Sequence, residues 1–329
     1  MVWGKLMEVF NNNRVYPFMQ KRIPFMGLSA FLFIASLVLI FTKGLNFGID
    51  FTGGTLIQVQ YEQKAPIGDV RTILAKTEKF QKANVTKFGS DNEIVIRIPT
   101  SSTSIQKDIG DELRETLLST GKFEIRRVDM VGPKVGDALQ EKGLMALSLA
   151  LLVILIYVSL RFEWRFAIAS VLALVHDITI TVGFIVFFNI DVNLDILAAL
   201  LTLLGYSIND TIIVFDRIRE GLTNSKENEL SKVIDESVSN TLSRTTLTSL
   251  TTFFVILTLF LFGGEIIYGF SFALLVGIII GTYSSIFIAS PLLMQFGFNI
   301  SDYRNKEAQK EKDKKEKERM RAQFEQGTV

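Results

Sequence analysis

Cysteine is absent from this chain of 329 residues, and histidine occurs only once. Without cysteine the protein has no disulfides, zinc–thiolate sites or thiol catalysis, and a single histidine leaves no histidine-rich metal site. The glycine-rich run Gly48–Gly54 lacks the Lys-Ser/Thr that completes a phosphate-binding loop, so it is interpreted as a structural turn. The sequence has no nucleic-acid motif and no nucleotide motif. An energy source, if one is used, therefore has to be an ion gradient or a partner.

Apolar sequence is abundant instead. Hydrophobic residues make up 48% of the chain and the mean hydropathy is positive, as is typical of polytopic membrane proteins. A membrane span needs about 20 mostly apolar residues. Six segments meet or approach this length: Ile23–Phe41, Leu144–Leu160, Phe166–Phe188, Val192–Phe215, Thr245–Phe262 and Ile266–Leu293. The first is interpreted as a retained anchor, because Lys21 and Arg22 precede it without a cleavage signal. Pro291 is expected to tilt or kink the last one.

Lysine and arginine are unevenly distributed among the short connections. They precede the first span, occur between the second and third and between the fourth and fifth, and are abundant after Arg304. By contrast, Asn189–Val192 and Gly263–Ile266 contain neither. The positive-inside rule then places both termini in the cytoplasm. The predicted organisation is a cytoplasmic N-terminus (1–22), a first transmembrane helix (23–41), a translocated domain (42–142), the other five helices (143–298) and a charged cytoplasmic tail (299–329).

The translocated region has the pattern of a small α+β domain. Strands are predicted at Thr55–Tyr61, Asn84–Phe88, Ile94–Ile98 and Phe123–Val128. One helix is predicted to open at Pro66, and the spacing of Ile105, Ile109, Leu113 and Leu117 predicts another. The order βαββαβ is that of a ferredoxin-like domain. That fold carries too many functions to indicate one, and because no catalytic cluster is visible, the domain is interpreted as a contact surface.

Asp210 is the strongest candidate for a functional residue. It lies inside the fourth apolar segment, where a charged side chain costs at least about 2.5–3.5 kcal/mol and usually handles ions or protons. Tyr206 shares its helix face, and Ser207 and Asn209 are close by, so the acid lies in a polar stripe suited to water. A structural acid satisfied by hydroxyl groups is the alternative.

Arg244, at the start of the fifth span, is the candidate partner of this acid. The two residues can meet at similar depth, and Thr248 continues the arginine's face into the membrane. The alternative is an arginine that extends to the cytoplasmic surface as an anchor.

His176 and Asp177 are weaker candidates in the third span. Histidine can relay protons near neutral pH. As neighbours on a helix, the two are expected to point about 100° apart rather than at each other. Polar packing between helices is an equally good interpretation. Gly277 and Gly281, four residues apart, predict close helix packing inside the bundle.

Several runs together resemble the SecF subunits of the bacterial SecD–SecF protein-export complex, in the resistance-nodulation-division superfamily. They are Gly48–Gly54, Val131–Gly136, His176-Asp177, Gly205–Asp210, Phe215–Glu220 and Ser243–Ser249. The resemblance extends in order to about Phe298, with the same six-span topology. It implies a multi-pass protein of the inner (cytoplasmic) membrane with its ferredoxin-like domain in the periplasm. Implied partners are SecD, the Sec channel with its accessory subunits, and exported polypeptides.

The resemblance also implies a mechanism. Asp210 aligns with the family's proton-handling aspartate, and an arginine is found at the position of Arg244. The expected protein is a non-enzymatic transport subunit with no cofactor beyond a coupling ion, H⁺. One rival is a small-molecule exporter of the same superfamily, which would have a much larger exterior domain. The other is an intramembrane aspartyl protease that uses Asp177 and Asp210, although the Gly-x-Gly-Asp arrangement of such enzymes is missing.

Overall fold

The structure is a computed structural model, and it describes residues 14–99, 109–225 and 227–325. Residues 1–13 of the predicted N-terminal segment, Ile105 of the second predicted domain helix, and the last four residues of the tail lie outside this part.

Within the described residues, six helices are long and apolar enough to cross a membrane, which confirms the predicted six-span architecture. In chain order, the first span is α1 (Arg22–Lys43), and it is followed by a single helical turn, α2 (Ile49–Thr52), which is not a span. The other spans are α5 (Pro133–Arg161), α6 (Trp164–Phe187), α7 (Leu194–Asn224), α8 (Leu230–Phe262) and a last span that begins as α9 (Tyr268–Ser284). The spans α6, α7 and α9 bury a larger share of their residues than the other three, so they form the centre of the bundle.

Several helices continue well beyond their apolar segments. Helix α5 begins at Pro133, which suits the first turn because proline lacks the N–H that would be unpaired there. Helix α8 begins at Leu230, and its first turns pack Val233, Ile234 and Val238 into a core cluster with residues of α7 such as Phe215 and Ile218. Because hydropathy detects only the apolar part of a helix, the spans predicted from hydropathy are shorter than the helices in the structure.

The sixth span is not one regular helix. After α9 it passes through a π-helical turn (Ser285–Ala289) and continues as α10 (Ser290–Gln295), which contains Pro291. The Ser290 hydroxyl donates to the carbonyl of Ser285 at 2.8 Å. A wide turn and a proline are both recognised causes of helix irregularity, so the predicted irregularity near Pro291 has a local origin.

The ferredoxin-like domain is confirmed. Its elements are β1 (Gly54–Tyr61), α3 (Ile67–Lys76), β2 (Asn84–Lys87), β3 (Glu93–Ile98), α4 (Ile109–Leu117) and β4 (Phe123–Val131). The four strands form one antiparallel sheet in the order β2-β3-β1-β4. Inward side chains of β1 and β3 pack against the apolar faces of α3 and α4, forming a core separate from those of the bundle. This arrangement places the end of β3 and the start of β1 next to the membrane helices.

The last element of the described residues is a long charged helix, α11 (Ile300–Glu325). Its first turn is attached to the bundle, since Tyr303 is buried against Phe298 and the Arg304 guanidinium donates to the carbonyls of Leu222, Ser225 and Glu227. From Lys310 to Ala322 the helix is exposed.

Candidate functional site

Helix α7 positions the candidate acid. Its N-terminus is capped by Asn193, whose side-chain oxygen accepts from the backbone N–H of Ile196 at 3.1 Å. The helix buries one face that contains both apolar residues and the polar residues Ser207, Asp210 and Thr211. Asp210 is 7% exposed, so its carboxyl group lies inside the bundle. A carboxyl group at such a position needs a polar partner or a proton.

The partner of Asp210 in the structure is Ser249 of α8. The Ser249 hydroxyl donates to Asp210 Oδ2 at 3.0 Å. Ser249 ends the Ser243–Ser249 run, yet the sequence did not single it out. That run is rich in hydroxyl groups, and helical spacing alone does not show which of them faces α7.

A cavity of about 70 Å³ adjoins Asp210, between α7, α8 and α9. Among its lining residues are the predicted supporting residues Tyr206, Ser207, Asn209 and Thr248. The cavity has room for water, since one molecule needs at least about 10–15 Å³ on this measure, and hydroxyl, amide and carboxyl groups in its lining can bond it. Asp210 therefore has a hydroxyl donor on one side and space for water on another, an arrangement in which a carboxyl group can exchange a proton.

Two glycines allow α9 to approach the site closely. A Cβ atom on Gly277 would lie 2.5 Å from Leu203 Cδ1, and one on Gly281 would lie 3.1 Å from Ser207 Cβ. The predicted packing of Gly277 and Gly281 inside the bundle is confirmed, because both glycines face α7. Their contact sets the width of the cavity.

Asp177 of α6 forms a second polar centre, and it is fully buried. Its Oδ2 accepts from Ser207 at 2.5 Å and from Ser284 at 2.8 Å. The carboxylate therefore connects α6 to α7 and α9. Ser207 also lines the cavity beside Asp210, so the two acids are linked through one serine. Ser284 was missed by sequence reasoning, since a serine in an apolar run gives no signal of its own.

The expectation that His176 and Asp177 point apart is wrong. His176 Nδ1 lies 2.9 Å from Asp177 Oδ1, because the imidazole ring folds back toward the neighbouring carboxylate. The ring stacks on Phe33 of α1, with centroids 6.2 Å apart, and its Nε2 is buried without a hydrogen-bond partner within the described residues. The two residues thus act as one unit between α1 and the centre of the bundle.

The structure does not bring Arg244 to Asp210. Arg244 and Thr248 lie on an exposed face of α8, and in the described part of the chain the guanidinium has no ion-pair or hydrogen-bond partner. Arg244 and Ser249 are five positions apart, which separates them by about 140° around the helix. Thr248, on the same face of α8 as Arg244, lines the cavity beside Asp210, whereas Arg244 itself does not. Its proposed role in proton handling stays a prediction.

No cluster of three or more histidine or acidic side chains with metal-site spacing occurs among the described residues. The six spans and the two polar centres together define a multi-pass membrane protein whose bundle encloses carboxyl groups, hydroxyl groups and space for water.

Comparison with known proteins identifies the family. Residues 112–299 match the C-terminal model of the SecD/SecF protein export membrane proteins, and residues 38–65 match the SecD/SecF GG motif. The chain belongs to the SecD/SecF family.

Relatives in this family match nearly the whole chain. The protein translocase subunit SecF of Helicobacter pylori is 49% identical over 98% of this chain and 100% of its own length. That of Escherichia coli O157:H7 is 39% identical over 93% of this chain and 95% of its own. The crystal structure of SecDF from Thermus thermophilus, titled a translocon-associated membrane protein, superimposes with a TM-score of 0.80 at 33% identity. The match covers 88% of this chain but only 40% of that one.

Proposed function

We propose that this chain is one half of a proton-driven accessory to protein export. With a SecD partner, it promotes late steps of polypeptide export through the Sec channel of the bacterial inner membrane. Both termini lie in the cytoplasm and the ferredoxin-like domain lies in the periplasm, in contact with exported chains. The names of the SecF relatives support the transport role. The position of Asp210 carries the proton-driven part of the proposal.

Asp210 has the environment that a coupling proton requires. The carboxyl group is buried in the middle of a long membrane helix, beside a cavity with room for water and beside the Ser249 hydroxyl. When the carboxyl group is protonated, it carries no charge through the bundle; when it is ionised, it needs donors or a cation nearby. Gain and loss of the proton thus favour different arrangements of α7 and α8, which is how a gradient can drive movement.

The exposed face of α8 supports a second half. Arg244, Thr248 and Thr251 lie on the surface of the isolated chain, and Tyr206 of α7 is also exposed at 48%. Lipid is a costly environment for an arginine, by at least about 2.5 kcal/mol at the middle of a span and by less near its end, where Arg244 lies. Another protein surface removes that cost. The SecDF structure supports this, because 60% of that chain lies outside the match and two-part transporters place their sites between related halves.

The rival functions have weaker support. An aspartyl protease needs two facing carboxyl groups that share a water, whereas both oxygens of Asp177 are occupied by His176, Ser207 and Ser284. An exporter of the same superfamily would have a larger exterior domain than the four-stranded one found here.

The test replaces Asp210 with asparagine, which keeps the size and the ability to accept from Ser249 but cannot titrate. Cells depleted of the native subunit are supplied with Asp210→Asn, and unprocessed secretory precursor is measured. We expect export to fall to the level of the depleted cells while SecD still co-purifies. Asp195→Asn is the matched control, since Asp195 is an exposed acid in the first turn of the same helix. It should export normally.

Removing the proton gradient and the sodium gradient in separate experiments identifies the ion that is coupled to export. Export by the parent chain should stop when a protonophore is added and continue when only the sodium gradient is removed. Normal export by an assembled Asp210→Asn complex would show instead that Asp210 is a structural acid.

A further inference from the structure

The segment that joins α1 to the ferredoxin-like domain is bonded to the start of the Asp210 helix. The backbone N–H of Gly48 donates to the Val192 carbonyl at 2.7 Å, and the N–H of Val192 donates to the Asn46 carbonyl at 2.7 Å. Asp50 adds a side-chain contact, because its Oδ2 accepts from the N–H of Leu194 at 3.0 Å. Leu194 is the first residue of α7, so Asp50 satisfies one of the unpaired N–H groups at that end and places a negative charge there.

The same segment is packed against the domain without space for side chains. A Cβ atom on Gly54 would lie 2.7 Å from the carbonyl oxygen of Ile98, at the end of β3. One on Gly53 would lie 2.8 Å from the Cα atom of Pro133, at the start of α5. Both glycines have positive φ, 70° for Gly53 and 135° for Gly54. Backbone therefore lies directly against backbone, and a side chain at either position would push the segment away from the sheet or from α5.

A second contact joins the two parts through side chains. Arg97 of β3 forms an ion pair with Asp191 in the loop between α6 and α7, and Asn46 donates to the same carboxylate. The side chains of Arg97 and Asp191 are only 23% and 20% exposed, so this pair is better shielded from solvent than the domain's surface pairs, such as Lys87–Asp91. We call Asn46–Asp50, Arg97 and Asp191–Leu194 the junction.

The junction and Asp210 lie on one rigid element. Helix α7 is continuous from Leu194 to Asn224, and Asp210 lies 16 residues, or about 24 Å, from its first residue. We propose that Asp50 is a positioning residue that fixes the ferredoxin-like domain to α7, so that the domain moves with the helix that carries Asp210. The movement rests on the proposed function, whereas the attachment does not depend on it.

Distances between two spin labels test the attachment. The chain has no cysteine, so cysteines introduced at Lys82 in the domain and at Phe262, at the outer end of α8, are the only labelling sites. In the full-length chain in nanodiscs, Asp50→Ala should broaden the distance distribution, since loss of a capping acceptor shifts the attached-to-detached ratio about five-fold. Asp50→Asn keeps an oxygen acceptor and should retain the narrow distribution. Asp69→Ala, which removes an exposed acid of the same domain, is the control.

Other variants and a second readout keep the test decisive. If Asp50→Ala does not fold, Arg97→Ala examines the other contact, and the same broadening is expected. An unchanged distribution in Asp50→Ala would overturn the proposal, as would equal broadening in Asp50→Asn and Asp50→Ala. If Asp50→Ala does not fold, an unchanged distribution in Arg97→Ala would overturn it. In the export assay, Asp50→Ala should lose export and Asp50→Asn should keep it. If Asp210→Asn exports normally, the proposed function fails, but the label distances still decide the role of Asp50.

Discussion

Gly183 allows the first span to pack against the centre of the bundle, and its replacement by alanine should destabilise the protein. Gly183 of α6 faces Ser36 of α1. A Cβ atom on Gly183 would lie 2.1 Å from Ser36 Oγ, 2.3 Å from Ser36 Cβ and 2.8 Å from Ser36 Cα. Because ordinary contact begins at 3.4 Å, the Cβ–Cβ separation has to grow by about 1.1 Å. A rotamer change of Ser36 cannot supply this, since the Cβ and Cα atoms also clash.

The free energy of unfolding should fall by about 1–2 kcal/mol. Inserting a methyl group into a packed interior costs about 1–3 kcal/mol, and the higher helix propensity of alanine returns up to about 1 kcal/mol. Ser36→Gly removes the two closest atoms, so the double variant should recover much of the loss. The two substitutions should therefore be non-additive, as expected for residues in contact.

The measurement is the midpoint of thermal unfolding of the purified chain in detergent. Gly27→Ala in α1 is the matched control, because a Cβ atom there meets nothing within 4 Å, and it should melt at or above the temperature of the parent. If Gly183→Ala is as stable as Gly27→Ala, the close approach of α1 and α6 is not needed for stability.

Two other predictions concern the docking of the charged helix α11 and the orientation of the chain in the membrane. Burial raises the pKa of Tyr303 to about 12, so its contribution to docking of α11 is complete below pH 10 and is lost as the pH rises toward 12. The anisotropy of a probe on a cysteine introduced at Lys310 should fall over that range, and less so in Tyr303→Phe; identical curves would exclude Tyr303 as the cause. For orientation, an impermeant thiol reagent should label a cysteine at Lys64 in intact spheroplasts and one at Lys232 only after lysis, and the reverse pattern would invert the topology.

The architecture could be predicted from the sequence because it depends on local periodicity. Alternation at Thr55–Tyr61 gave a strand that the structure begins one residue earlier, at Gly54. The strand predicted at Phe123–Val128 continues to Val131 in the structure. The prediction stopped short because the apolar pattern is weak where β4 approaches α5. The spans were predictable from local sequence too, because crossing a membrane requires an uninterrupted apolar stretch of sufficient length.

The polar contacts were less predictable because they depend on the rotation and depth of one helix relative to another. Asp210 was found because an acid in an apolar run is rare. Its partner Ser249 is one hydroxyl among several in its run, and only the packing of α8 on α7 selects it. For Arg244, the sequence predicted that it can meet Asp210 at similar depth, but depth does not fix the direction of a side chain around α8. The contact between His176 and Asp177 depends on side-chain rotamers, which backbone periodicity does not describe.

The π-helical turn at Ser285–Ala289 divides the sixth span into two halves of different phase. One extra residue in a turn rotates everything beyond it by about 100° relative to an uninterrupted α-helix. The half before the turn directs Gly281 and Ser284 inward, and the half after it directs Ser290 and Leu293 inward. No single helical repeat connects these positions. A deletion of one residue within the turn would restore a regular helix and, in doing so, rotate Leu293 out of the core.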